Sequence, residues 1–267
     1  MNKCDPIDIG FDGHVHTYLC NHAKGTMEEY VVAAISRGLH TLCFLEHLEV
    51  GITYHQRSWL NEEDFTVYFR EGTRLKKAYE GQLTILLGVE AGYNPEQQTP
   101  FLNLLKAYPW DRIGLSLHFY RIGNKHFNLL SRQPDSLALL IEHDPALIMD
   151  AYFDSLLEAI LIMERCDVVC HLDACLRHAQ ERRLSEKNYI QINTILDTMQ
   201  QKQIALEINT SGFTLRKAPF PEATILNRAM QRGLLLVAGS DAHAPQQVGR
   251  HFDQVNDYLQ LASKLSM

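Results

Sequence analysis

The chain has no excess of positive charge: 25 Lys and Arg stand against 32 Asp and Glu, for a formal net charge of -7. Binding along a nucleic-acid backbone needs a basic surface, so no nucleic-acid partner is expected. A small phosphorylated ligand is still allowed, because bound metal ions would reverse the local field. No stretch approaches ~18 consecutive apolar residues, so no membrane span is expected. The opening Met1-Asn2-Lys3-Cys4-Asp5-Pro6 has no apolar signal-peptide core. The six cysteines (Cys4, Cys20, Cys43, Cys166, Cys170, Cys175) form no C-x-x-C pair. They read as reduced thiols of a cytoplasmic protein rather than disulfide or zinc partners. Internal repeats, low-complexity tracts and Ser/Gly linkers are also missing.

What is present is a 267-residue chain, 46% hydrophobic, in which short β-like runs alternate with helix-like stretches. Near-continuous apolar runs predict strands at 8–11, 41–45, 84–89, 113–117, 168–170, 204–208 and 234–238, the pattern of a parallel sheet covered on both faces. Thr26-Met27-Glu28-Glu29 is a capping-box pattern, and Gly38 closes the helix that follows. Asp144-Pro145 sets an N-cap before a proline at the first helical position, opening a helix to about 164. Helices are also predicted at 61–79, 185–201, 221–232 and 245–264. Residues 95–144 read as long loops over one end of the fold. Trp110 and Tyr120 there, with Trp59, could wall a pocket, although packing explains them equally well. Seven strands alternating with helices predict a β/α barrel or an open α/β sheet.

The residues that end each strand carry the chemistry. Asp12-Gly13-His14-Val15-His16 follows the first run, and Gly239-Ser240-Asp241-Ala242-His243 follows the last. Between them, the other runs lead into Glu46-His47, Glu90, His118, His171-Leu172-Asp173 and Glu207-Ile208-Asn209-Thr210. Two histidines two apart on one strand project the same way. In β/α barrels the functional groups sit at the C-terminal strand ends. All seven predicted strands end in metal-type or polar side chains, which points to a hydrolytic metal centre. His40, His55, His126, His143, His178 and His251 lack this context and read as surface or substrate-loop residues.

In order along nearly the whole chain, these motifs resemble the polymerase and histidinol phosphatase (PHP) superfamily. Its histidinol-phosphate phosphatase branch is the most similar, through His16-Thr17-Tyr18-Leu19-Cys20-Asn21-His22-Ala23, Ala205-Leu206-Glu207-Ile208-Asn209-Thr210-Ser211-Gly212 and the 239–243 motif followed by Val248-Gly249. The resemblance implies one PHP-type domain over 1–267, folded as a distorted seven-stranded (β/α)7 barrel. It implies two or three divalent transition-metal ions (Zn, Fe or Mn). One ion would take His14, His16, Glu90 and Asp241. A second would share Glu90 and add His118 and His171. A third would take His22, His47 and His243. The implied reaction is hydrolysis of a small-molecule phosphate ester, L-histidinol phosphate, by a metal-bridging hydroxide, with Glu90, Asp241 and His243 as catalytic groups. Arg177 and Arg216 would bind the substrate phosphate, and Asp12 and Glu46 would orient imidazoles. The alternatives are a PHP phosphoesterase for another small phosphate ester or nucleotide, and a degenerate barrel that only binds. An amidohydrolase-type site is disfavoured, because Glu90 and no lysine stands at the bridging position.

Overall fold

The computed structural model describes residues 6–178 and 183–265. Cys4 lies outside the described residues; the other five cysteines are unpaired. Seven strands form one parallel sheet: β1 (Phe11–Val15), β2 (Thr41–Glu49), β3 (Thr84–Gly92), β4 (Ile113–Ser116), β7 (Val168–Val169), β8 (Ala205–Asn209) and β9 (Leu236–Gly239), in that spatial order. Between β4 and β7, β5 (Phe119–Ile122) and β6 (Lys125–Asn128) make a separate antiparallel hairpin. The sheet curls into a nearly closed β/α barrel.

The helices outside it begin where their side chains can take up free backbone N–H groups. In α1 (Met27–Ser36), Thr26 and Glu29 cap each other's backbone as the sequence predicted. Asn61 and Asp64 do the same for α2 (Glu62–Ala78), and Ser185 and Asn188 for α6 (Glu186–Lys202). The Asp144 carboxylate accepts from Ala146 N–H to open α5 (Pro145–Ile162). α5 buries Tyr152, Phe153, Leu156 and Ile160, and α6 buries Ile192, Ile195, Leu196 and Met199, where the two helices pack together. Each such aliphatic or aromatic side chain contributes about 1.5–3 kcal/mol by leaving water.

Several boundaries differ from expectation, and the strand ends do so for one reason. An apolar-run criterion stops at polar residues, whereas a ladder continues while both partners pair. β2 and β3 pair from Thr41↔Thr84 through Glu49↔Gly92, so Glu46, His47 and Glu90 lie inside strands. β1 runs over Phe11–Val15, so Asp12 and His14 also lie inside it. Apart from the expected β4, the region 95–144 read as loops holds α3 (Gln98–Ala107), the β5–β6 hairpin and α4 (Pro134–Glu142). Gly123, at φ +57, makes the hairpin turn possible. The expected helix at 245–264 is broken into two 3-10 turns and α9 (Val255–Ala262), because Gly249 and His251 adopt left-handed backbone.

The barrel closes at the seam between β1 and β9 without a regular ladder. A single bridge joins Val15 to Ala242, with His16 N–H donating to Ala242 O at 2.9 Å. Asp12 strengthens this seam. Its carboxylate accepts from the backbone N–H groups of Ser240 (2.9 Å), Gly249 (2.8 Å) and His14 (3.3 Å). The expectation that Asp12 orients an imidazole is therefore corrected: its oxygens are engaged by backbone donors. Asp12→Ala would leave those donors without their acceptor and is expected to lower stability by about 2–4 kcal/mol. Urea unfolding would measure it; an unchanged midpoint would show that the seam holds without this carboxylate.

Candidate metal centre

Alternation along the strands sets the site. On β2, Cys43 and Leu45 line an apolar plug in the barrel with Val168, Cys170 and Ala205. Two and four residues beyond Leu45, His47 and Glu49 come onto the same face, at the C-terminal end. The same step of two leads from Gly88 to Glu90 on β3, from Ser116 to His118 past β4, from Ala205 to Glu207 on β8 and from Gly239 to Asp241 past β9. Apolar filling thus gives way to polar groups at one end of the barrel.

Glu90 stands at the middle, almost fully buried. Its Oε1 is 2.7 Å from His171 Nε2 and 3.1 Å from His118 Nε2. Its Oε2 is 2.9 Å from His47 Nδ1, 3.5 Å from His14 Nε2 and 3.6 Å from His16 Nε2. The two oxygens therefore face two different sets of imidazoles. Asp241 Oδ1 lies 3.4 Å from His16 Nε2. His22 and His243 meet Nε2 to Nε2 at 2.9 Å. The His47 ring stacks on His16 with centroids 4.1 Å apart, between the His22/His243 pair and Glu90. All nine residues expected as ligands thus fall in one contiguous cluster.

The remaining ring nitrogens set the direction of the lone pairs. His14 Nδ1 donates to Glu207 Oε1 (2.6 Å) and His118 Nδ1 to Glu49 Oε1 (2.6 Å). His22 Nδ1 donates to Cys20 O (2.9 Å) and His243 Nδ1 to Asp241 O (3.1 Å). These acceptors carry no proton, so each Nε2 of a neutral ring is a bare lone pair. Ring nitrogens converging at 2.9–3.0 Å, as at His22/His243 and His14/His16, need a shared proton or a metal ion between them. Glu90 Oε2 is likewise buried with no hydrogen-bond donor. This donor set fits divalent metal.

Charge states divide the histidines: burial opposes protonation of His14, His16 and His118, but neighbouring carboxylates raise all three above the ordinary imidazole value. Burial opposes ionisation of Glu90 and Asp241, but the histidines around them hold both carboxyls well below the usual carboxylate range. Burial, with His16 alongside, pushes His47 and His243 well below the ordinary imidazole value, so both rings are neutral. His171 and Asp241 reach the centre from left-handed backbone, φ +25 and +51. Non-glycine residues pay for that conformation, and it clusters at functional sites.

Sequence reasoning missed Glu49 and Glu207 as the groups that orient imidazoles. Glu46 accepts from the N–H groups of Thr17 and His47 and lies 3.8 Å from His16 Nδ1, too far for a hydrogen bond. The strand period held the missing signal, since Glu49 is two residues from His47 and Glu207 two from Asn209. Glycines make room for both carboxylates. A Cβ on Gly92 would overlap the Glu49 carboxylate, and one on Gly239 would overlap that of Glu207.

A cavity of about 430 Å³ opens over the cluster. Arg177 and Arg250 line it with His22, His118, His171 and Asp241. Arg177 Nη1 is 3.7 Å from Asp241 Oδ2. Arg250 is pinned to Ser240 O (2.8 Å) and Asp241 O (2.9 Å). Arg216, expected on the phosphate, is not part of this wall. It ends α7 (Ser211–Arg216), where its guanidinium binds Asp173 (3.0 Å) and Pro219 O and stacks on Phe220. The aromatic wall also differs from expectation. Tyr54 and Phe119 line the cavity, Trp59 packs behind Phe119, and Trp110 is buried against Phe65 and Phe69. His55 lines the cavity as a loop residue, while His126 is buried in the hairpin and accepts from Thr53 N–H.

The chain matches the PHP domain family over residues 12–211 and the PHP-associated family over residues 225–260. The protein called probable histidinol-phosphatase in Deinococcus radiodurans is 29% identical over 242 residues, covering 90% of this chain and 89% of its own. A protein of the same description in Thermotoga maritima is 32% identical over 249 residues, covering 91% of this chain and 88% of its own. A crystal structure of histidinol phosphate phosphatase from Lactococcus lactis, in complex with zinc, L-histidinol and phosphate, has the same fold. Its TM-score is 0.79 at 21% identity, over 94% of this chain and 93% of the other.

Because Glu207 fixes the His14 ring, Glu207→Gln is expected to weaken metal affinity by about 10–100-fold. Gly239→Ala, which drives a methyl into that carboxylate, should act in the same direction without removing any donor. Competition with a chromogenic chelator would measure both. Unchanged zinc retention in the two variants would show that Glu207 does not set the His14 ring.

Proposed function

The chain belongs to the PHP domain family, and from that premise we propose that its barrel-end centre hydrolyses L-histidinol phosphate to L-histidinol and phosphate. The observation that carries this is one carboxylate, Glu90, dividing its two oxygens between imidazole sets beneath a cavity that also presents Arg177. The proposed ligands are His14, His16, Glu90 and Asp241 for one ion, Glu90, His118 and His171 for a second, and His22, His47 and His243 for a third. Imidazole and carboxylate donors suit Zn, Fe or Mn over Ca or Mg.

When bound, such ions supply positive charge to the phosphoryl oxygens and lower the pKa of a water molecule, providing a nucleophile at neutral pH. The chain's own residues do the rest. Arg177 offers a planar fork of N–H donors to the phosphoryl oxygens. Arg250, fixed by two carbonyls, adds a positive charge beside it. Asp241, an ionised carboxylate, and His243, whose Nδ1 proton faces Asp241 O, stand at the cavity edge as ion ligands rather than as proton donors. Tyr54, Phe119 and Leu130 form an apolar wall for the imidazole end of the substrate. The cavity volume lies within the usual range for small-molecule sites. Cytoplasmic placement belongs to the same proposal. Among the described residues no helix is long and apolar enough to cross a membrane.

Arg177→Ala is expected to lower kcat/KM by about 2–4 kcal/mol, if its contact strengthens in the transition state. A steady-state comparison with no change would remove Arg177 from the phosphate site. The function itself is tested by phosphate release from L-histidinol phosphate against sugar, nucleotide and amino-alcohol phosphates. A kcat/KM at least ~100-fold above the rest is expected, equal to ~2.7 kcal/mol of discrimination. A faster reaction with another ester would keep the phosphoesterase and discard this substrate.

A further inference from the structure

Cys20 stands closer to the proposed third ion position than an ordinary core thiol would. It ends the 3-10 turn Tyr18–Cys20 and is fully buried. Its carbonyl accepts from His22 Nδ1, which turns the Nε2 of that ring toward His243. Its own Sγ lies 4.0 Å from His22 Nε2. The Cys20 sulfur and a ring nitrogen each from His22 and His243 all fall within 4.8 Å of one another. A tetrahedral zinc ion, with bonds of about 2.3 Å to sulfur and 2.0–2.1 Å to nitrogen, spaces its ligands by roughly 3.3–3.6 Å. The observed 4.0 Å sulfur–nitrogen and 2.9 Å nitrogen–nitrogen separations bracket that range. Carrying the turn and the ring two residues apart, the chain aims a soft donor and a borderline donor at one point.

We propose that Cys20 supplies a sulfur ligand to the ion held by His22 and His243, which makes this position selective for zinc-like ions over manganese. Sulfur favours softer ions, whereas the mixed imidazole and carboxylate positions around Glu90 and Asp241 also accept harder ones. On binding, the Cys20 S–H bond breaks, the sulfur keeps the electron pair for the metal, and the proton passes to solvent. The centre then has two kinds of position: interior sites of mixed imidazole and carboxylate, and an outer site of imidazole and thiolate. This rests on the metal-centre proposal above.

Cobalt(II) reports the difference directly. Metal-free protein reconstituted with cobalt is expected to show visible ligand-field bands together with a near-ultraviolet sulfur-to-cobalt band. Cys20→Ser should keep the visible bands and lose the near-ultraviolet one. Cys170→Ser, which alters the other buried thiol grouped with a ligand histidine, should keep both. Cys20→Ser should also reduce the preference for zinc over manganese by about tenfold or more in competition. Visible bands in the wild type without the near-ultraviolet band would overturn the Cys20 proposal alone, and this arm does not depend on the variant folding. A sulfur band that survives Cys20→Ser would overturn it as well. The absence of any cobalt band would instead remove the metal centre itself.

Discussion

A carboxylate in the interior of a barrel is costly unless positive charge faces it, and Glu90 is faced by five imidazoles: His14, His16, His47, His118 and His171. Removing an ion of this size from water costs several kcal/mol even after relaxation. His14 and His16 come from β1 and its end, His47 from β2, and His118 and His171 from just past β4 and β7. The parallel sheet therefore does more than enclose a core. Its curvature brings imidazoles from positions 14 to 171 to one carboxylate, and a cation among them would offset what burial otherwise costs.

The close packing around that carboxylate depends on positions with no side chain. Gly88, Gly92, Gly114 and Gly239 sit on strands or at strand ends where a Cβ would meet a backbone oxygen, a sulfur or a carboxylate. The space left by Gly92 and Gly239 admits Glu49 and Glu207, which lock the rings of His118 and His14. The plug of Cys43, Leu45, Val168, Cys170 and Ala205 supports the centre from within the barrel. Asp12 belongs to the same scheme. At the seam without a ladder, its carboxylate ties β1 to Ser240 and Gly249, and so fixes His14 relative to Asp241.

Much of this was legible in the sequence because metal-type side chains recur at period 2 after apolar runs. That recurrence gave seven strands, in a β/α barrel or an open sheet, and the polar groups at their ends; the resemblance to the PHP superfamily implied the distorted barrel and the full set of nine residues. The recurrence did not give the strand ends: the apolar criterion stopped β2 at Leu45, while pairing with β3 carries it to Glu49. The same cut hid Glu49, a strand residue that looks like the start of a loop. Arg216 misled for a different reason. Position along the chain places it beside the Asn209–Gly212 turn, but the short α7 turns its guanidinium to Asp173, a buried carboxylate with its own need for a partner. Period gives the face of a strand; it says little about where a long side chain goes after a helical turn.

The centre is graded from interior to surface, and that gradient bears on how a phosphate ester is handled. His14, His16 and Glu90 are buried on strands, and carboxylates or backbone hold their surroundings. His22 and His243 lie on loops, reach solvent, and are fixed only by carbonyl oxygens. Groups held by carboxylates are both more basic and more rigid than groups held by carbonyls. An ester entering past Arg177 and Arg250 thus meets the more adaptable side of the centre first, while the rigid side stays fixed against the barrel wall. Preorganised charge lowers a barrier only where it need not move during the reaction. The strand-borne half satisfies that condition, and the loop-borne half leaves room for the phosphoryl group to arrive and for phosphate to leave.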